Sequence, residues 1–337
     1  MDWFLILEWV IKAVILLLFL TAGFAYVTLF ERKVLARIQV RIGPNRAGPQ
    51  GVLQPIADAV KLIFKEELSP KDADKVIFML APVITVIPAL VITAAVPWGR
   101  SINLFGREIA LGITDLNVAA LYILAVTSIS VYGITLAGWA SNNKYAMMGG
   151  LRASAQMISY ELGLGLAFVP PILLAGSMSL VDHVETQAAM GIIRWWLYQP
   201  LGPIIFLIAC IAEVNRAPFD MPEAEQELAS GYHVEYSGMK FALFFMAEYI
   251  KMICVSMIGA TVFFGGYLGP FVDQFPILGP VYLFIKVVGI LFWMVWVRAT
   301  SPRIRYDRLM AFGWKIMLPA ALFNLTFTAV LVLLTGA

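Results

Sequence analysis

Eight stretches of about 20 mostly apolar residues recur along this chain, at roughly 10–30, 77–97, 116–138, 155–175, 192–213, 241–265, 280–299 and 316–335. A helix of that length, rising about 1.5 Å per residue, matches the roughly 30 Å hydrocarbon core of a bilayer. Lipid offers no hydrogen-bond partner to a backbone amide, so helices and closed barrels are the structures able to cross it. Barrel strands alternate polar and apolar residues over about ten positions, whereas these runs are continuously apolar. The expected fold is an all-α integral membrane protein of about eight transmembrane helices, a single membrane domain over 1–337. Composition agrees: 61% hydrophobic and 14% charged residues depart from the roughly half-apolar, quarter-charged balance of soluble domains.

Cytoplasmic loops retain Lys and Arg. Assigning the loops at about 31–76, 139–154, 214–240 and 300–315 to the cytoplasm places 18 of the 24 basic residues on that side, counting Arg298 at the edge of the last loop, against Arg100, Arg107 and, at a span edge, Arg194 on the opposite side. Both termini then lie outside. Met1 to Trp9 carries Asp2 and Glu8 but no basic residue, so it lacks the n-region of a cleaved signal peptide and the first apolar stretch is expected to stay as a helix. A net charge of +2 gives no basis for nucleic-acid binding. Cys210 and Cys254 are isolated in apolar runs and read as small packing residues. His183 and His233 sit in separate polar stretches, not on facing apolar helices as bis-histidine haem ligation requires. No metal or redox centre is expected in this chain. The fifth span is irregular: Pro200 and Pro203 interrupt it, and the uninterrupted part, Ile204 to Val214, is too short to cross alone. Such broken helices are tolerated where they face protein or a polar cavity; a packing kink explains the prolines equally well.

Three of the basic-side loops carry motifs. The first opens with Glu31-Arg32-Lys33 and runs through Arg37, Gln39 and Arg41 into Gly43-Pro44-Asn45-Arg46, where glycine and proline enforce a turn. Beyond it, Leu53, Ile56, Ala57, Val60, Ile63 and Phe64 share one helical face while Asp58, Lys61 and Lys65 share the other. That pattern predicts an amphipathic helix on the cytoplasmic-side surface, for which anchoring to anionic headgroups is a sufficient role. The second runs from Trp139 through Asn142, Asn143, Lys144 and Tyr145 to Arg152, its aromatic residues typical of the membrane interface. The third, Glu213 to Gly238, is acidic where positive-inside logic expects the reverse: it holds Asp220, Glu223, Glu225, Glu227 and Glu235 around Asn215, Arg216, Pro218 and Phe219. Asp220 and Glu223 have the spacing of a helix cap. Glu223 and Glu227 lie one turn apart, where like charges repel and burial would favour their neutral forms.

Charged side chains inside a membrane cost roughly 2.5–3.5 kcal/mol on insertion scales, so those retained face a partner or a wet cavity. Glu161, Glu213 and Glu248 sit on three different spans near the cytoplasmic half and read as a proton path; an i,i+3 ion pair with Lys251 is the alternative for Glu248.

At these residues the chain resembles a membrane subunit of respiratory complex I, the one designated H in bacteria and 1 in mitochondria. The resemblance covers nearly the whole length and rests on Glu31-Arg32-Lys33 with Gln39 to Pro49, Leu53-Gln54-Pro55 through Asp58 and Lys61, Gly138 to Tyr145, Glu213 to Glu227, and Arg298-Ala299-Thr300 with Pro302-Arg303 and Arg305-Tyr306-Asp307. It implies a subunit of a proton-translocating NADH:quinone oxidoreductase in the bacterial inner membrane, termini periplasmic. It implies that Glu31, Arg32, Asp58 and Phe219 belong to a quinone chamber and its entrance, and that Glu161, Glu213, Glu223, Glu225, Glu227 and Glu248 form a proton path supported by Arg216, Arg298 and Arg303. The implied substrate is a quinone. The implied partners are a peripheral arm holding iron–sulfur clusters, FMN and the NADH site, together with antiporter-like membrane subunits, all in contact with membrane lipid. A homologous subunit of a membrane-bound hydrogenase, a formate-oxidising complex or a ferredoxin:plastoquinone oxidoreductase stays open as an alternative, as does a stand-alone cation transporter, for which buried carboxylates would serve as well.

Overall fold

The computed structural model describes residues 3–104, 107–221 and 230–335. The chain is an all-α membrane protein. Its helices are α1 (Trp3–Ile38), α2 (Gln54–Ile63), α3 (Lys75–Ile92), α4 (Ala119–Ala140), α5 (Lys144–Ala175), α6 (Leu180–Met190), α7 (Ile192–Tyr198), α8 (Gly202–Glu213), α9 (Gly238–Phe263), α10 (Leu278–Thr300), α11 (Tyr306–Phe312) and α12 (Leu318–Thr335). Among the described residues seven helical segments are long and apolar enough to cross a membrane, and eight if α7 and α8, bent by 82° at Gln199–Leu201, form one span. A two-stranded hairpin, Ile102–Leu104 against Arg107–Ile109, decorates the loop between α3 and α4.

Several helices outlast their apolar stretches. α1 continues through Arg32, Lys33 and Arg37, and α5 begins at Lys144, well before the apolar run at 155. Apolar content marks where lipid lies, whereas the helix stops where its cap and the next breaker stop it. For α5 that cap is Asn143, whose Oδ1 accepts the Tyr145 amide at 2.9 Å; for α3 it is Asp74, whose carboxylate accepts the Val76 amide at 3.1 Å.

α9 is the centre. Every residue from Tyr249 to Phe263 is buried, so this stretch is enclosed by protein on all sides, with α1, α3, α8 and α10 around it. α3, α4 and α5 pack closely in sequence order through small residues, as membrane helices do when backbone approach replaces hydrophobic drive. A Cβ at Gly133 would fall 2.2 Å from Thr85 Oγ1 and 2.9 Å from its amide nitrogen.

At the bend between α7 and α8, neighbours satisfy the exposed backbone. The Leu201 amide donates to Asn324 Oδ1 at 3.1 Å, and Thr328 Oγ1 donates to the Tyr198 carbonyl at 2.8 Å, both partners on α12. The break therefore faces protein.

α2 lies across the end of α1 with Leu53, Ile56, Val60, Ile63 and Phe64 exposed, an unshielded apolar face suited to the membrane interface. The segment 231–236 docks under α4 and α5, where Tyr236 stacks on Phe78 at 4.0 Å and Asn143 Nδ2 donates to Glu235 Oε1 at 2.7 Å. Burial lowers the His233 imidazole there to about 4.

Two outcomes are expected. Gly133→Ala, whose methyl meets the α3 backbone, lowers stability by about 1–3 kcal/mol, read as a lower thermal unfolding midpoint of the detergent-solubilised protein. As pH falls from about 6.5 towards 4, unfolded His233 takes up a proton that the docked one refuses. Docking of 231–236 therefore weakens over that window and is fully present above it. Hydrogen exchange of these amides, corrected for intrinsic rates, reads this, and His233→Phe removes the dependence.

Candidate functional site: a buried charge network beside an apolar cavity

The third loop turns sharply after α8. Asn215 adopts a left-handed conformation (φ 58°), and buried Gln156 of α5 holds the turn, its Nε2 donating to the carbonyls of Ala212 at 2.9 Å and Phe219 at 2.7 Å. This turn sends Arg216 back into the bundle, 7% exposed.

Arg216 joins two acids from different helices. Its Nη1 lies 3.4 Å from Glu31 Oε1 on α1, and its Nε pairs with Glu248 Oε1 on α9. The guanidinium also lies over the Tyr249 ring, 4.5 Å from the centroid, a favourable cation–π placement. Glu31, 2% exposed, further accepts the Tyr249 hydroxyl at 2.7 Å and pairs with Arg298 of α10. Two carboxylates and two guanidiniums thus share one buried patch at which α1, α9, α10 and the loop after α8 converge. A void of about 10 Å³ beside it is walled by Glu31, Arg216 and Arg298, about the space of one water.

A second pair lies on the α8 side. Glu213, 2% exposed, meets Lys251 of α9 at 3.3 Å, Oε1 to Nζ. Glu161 on α5 accepts from Ser128 Oγ of α4, with Thr127 Oγ1 at 3.4 Å. The local pair between Glu248 and Lys251, the alternative to a proton path, does not form: each ion instead pairs across helices, Glu248 with Arg216 and Lys251 with Glu213.

Arg32 and Asp58 form a separate unit. Arg32 Nη1 donates to Asp58 Oδ2 at 2.7 Å, clasping α2 to α1, and Gln54 Nε2 donates to Asp58 Oδ1 at 3.2 Å. Both line a cavity of about 380 Å³ between α1, α2 and α9, otherwise walled by Phe24, Pro55, Phe241 and Met246 among others. Consecutive helix residues point about 100° apart, so Glu31 and Arg32 serve different sites. Phe219 is not among the cavity's lining residues; it is a core residue, 5% exposed, with its ring 5.3 Å from that of Tyr160. Arg303 reaches the same turn, its Nη2 3.3 Å from Asp220 Oδ2 and its Nε donating to the Asp220 carbonyl at 3.1 Å. Glu223, Glu225 and Glu227 lie outside the described residues.

Tyr249, Gln156, Ser128 and the pairing of Lys251 with Glu213 do not stand out in the sequence. Tyr249 adjoins Glu248 and Lys251 is charged within a span, which are signals of a kind, but neither names a partner on another helix.

Removing one member of a buried ion pair strands the other, at about 3–5 kcal/mol. Arg216→Met is therefore expected to destabilise the protein by that order, and a second change, Glu248→Gln, to recover part of the loss; thermal unfolding of both variants measures it.

A family model described as NADH dehydrogenase matches residues 11–329. The chain is 49% identical over 335 residues to a Thermomicrobium roseum protein named as the H subunit of NADH-quinone oxidoreductase, covering 97% of each chain. It is 50% identical to a Syntrophobacter fumaroxidans protein named as the second H subunit of NADH-quinone oxidoreductase, covering 99% and 98%, and 51% identical to the corresponding H subunit of Deinococcus deserti, covering 97% and 85%. With the model spanning most of its length and relatives near half identity over nearly all of it, the chain belongs to the NADH dehydrogenase family.

Proposed function

We propose that this chain is the quinone-site and proton-coupling membrane subunit of a complex I-type NADH:quinone oxidoreductase, seated in a bacterial inner membrane with both termini on the periplasmic side. The observation that carries this reading is the Arg216 junction. Glu31 stands on α1 next to Arg32 of the apolar cavity, and Arg216 links Glu31 to Glu248.

Reducing a quinone to a quinol takes two electrons and two protons. The electrons come from iron–sulfur clusters in a peripheral arm, fed from NADH through FMN in partner subunits, and antiporter-like membrane subunits complete the assembly. This chain's residues handle access and protons. A quinone has an apolar tail and a polar head. The cavity between α1, α2 and α9 opens beside the exposed apolar face of α2, and its one carboxylate–guanidinium pair, Arg32 with Asp58, stands at the polar end. The tail is held by Phe24, Phe241 and Met246 while Arg32 and Asp58 guide the head past.

Beyond the cavity, the acids respond to the change of charge that reduction brings. With all four groups ionised, the patch of Glu31, Glu248, Arg216 and Arg298 is neutral. A proton added to either acid leaves an excess positive charge in a medium where that is costly, so the guanidiniums shift towards the remaining carboxylate. Glu213 with Lys251, and Glu161 beyond, carry the disturbance into the bundle; the resemblance assigns Glu223, Glu225 and Glu227 to the same path. Each pairing crosses between helices, so movement of a proton is felt as movement of a helix.

Glu213→Gln tests the assignment. The amide keeps the shape of the side chain and an oxygen that still accepts from Lys251, so the complex is expected to assemble, at some cost in stability from the unbalanced Lys251 charge, with inhibitor-sensitive, proton-coupled quinone reduction per assembled complex lowered at least tenfold. Copurification of an iron–sulfur arm with the tagged chain and inhibitor-sensitive NADH:quinone activity are expected of the unaltered protein. A chain recovered alone and active as a cation transporter in liposomes would overturn the proposal, and normal coupled activity in Glu213→Gln would remove this residue from the path.

A further inference from the structure

On the flank of α1 away from the Arg32 cavity, α1 and α10 part to leave a membrane-facing groove of about 480 Å³, continued by a second of about 230 Å³. The two share Phe19, Phe284 and Val287, so they form one furrow. Along α1 it is lined by Phe19, Gly23, Val27 and Phe30, spaced at three and four residues, a single stripe. From Phe19 to Phe30 the stripe is about 16 Å long, the depth of one bilayer leaflet's hydrocarbon. Trp98 stands at the far end, edge-on to Phe19 at 4.9 Å, as an aromatic side chain does near a membrane boundary or a packed chain end.

α1 is one continuous helix to Ile38, so its stripe does not end at Phe30. The next positions on the same face are Lys33 and Arg37. Among the described residues neither is in an ion pair, whereas adjacent Arg32, on the other flank, is held by Asp58. Lys33 and Arg37 also wall a polar hollow of about 700 Å³ together with Arg41, Asn45 and Gln50. Lys33 and Arg37 thus continue the α1 stripe one and two turns beyond Phe30, where the apolar furrow of one leaflet's depth ends, and there they wall a basic hollow.

We infer that this furrow is a binding site for an anionic glycerophospholipid, one acyl chain lying between α1 and α10 and the phosphate resting on Lys33 and Arg37. The charge complementarity selects this occupant: a transmembrane helix of another subunit would fill the apolar part but leave two cations facing an empty hollow. Surface cations of this kind contribute about 1 kcal/mol each towards anionic lipid, so two of them favour an anionic over a zwitterionic headgroup by about 30-fold.

The test uses the intact complex in nanodiscs containing phosphatidylglycerol or phosphatidylcholine with identical acyl chains, and counts retained lipid by native mass spectrometry. Phosphatidylglycerol is expected to be retained about 30-fold more tightly than phosphatidylcholine. Lys33→Gln with Arg37→Gln abolishes that preference without altering phosphatidylcholine, and Val27→Trp, which fills the furrow, lowers retention of both. Equal retention of the two lipids by the unaltered complex overturns the proposal and needs no variant to fold. Unchanged phosphatidylglycerol retention in the charge variants overturns it too, as does a photocrosslinker at position 27 that captures a protein helix instead of lipid.

Discussion

A buried charge without a counter-charge is the costliest thing a membrane bundle can contain, and Arg216 is where this protein meets that constraint. Glu31 arrives on α1, Glu248 on α9 and Arg298 on α10. Glu31, Glu248 and Arg216 would each be prohibitive alone in a low-dielectric interior, while Arg298 reaches them from a partly exposed position. Brought together they hold the inner ends of three helices in one register, and Tyr249 supplies a hydroxyl to Glu31 and a ring beneath the guanidinium. The same arrangement that stabilises the bundle makes it sensitive to a single proton, since balance among four close charges is lost when any one is neutralised.

The broken span makes this convergence possible. α8 has only 12 residues, so its last residue, Glu213, lies inside the bundle opposite Lys251 and not at a far surface. The chain then turns at left-handed Asn215 under the grip of Gln156 and delivers Arg216 to the two acids. Asn324 and Thr328 take the hydrogen bonds that a continuous helix would have made at the break. Polar side chains on α12 with no part in the charge network are thereby accounted for.

α1 divides its surroundings into three. Glu31 faces inward to the network, Arg32 faces the cavity shared with α2 and α9, and Lys33 and Arg37 face the polar hollow walled by the loop that follows α1. Rotation of about 100° per residue turns a short run of charged residues into three environments.

The sequence by itself determined the membrane-protein class, the positions of the long apolar helices, the amphipathic α2 and the concentration of charged, turn-forming motifs in the first and third loops. Apolar length and facial periodicity are local properties, set by the lipid and by helix geometry. The break near Pro200 was legible for the same reason, because proline acts on its own turn of helix. Only the tertiary structure decided the pairings. Glu248 and Lys251, correctly spaced for a local ion pair, each take a partner from another element, and Glu31 parts from its neighbour Arg32 to join Arg216, Arg298 and Tyr249. Phe219 likewise became a core residue because the turn held by Gln156 carries it inward. A pairing between residues far apart in the chain depends on how each helix is rotated and on what its neighbours leave unpaired, and no spacing along a single segment encodes that.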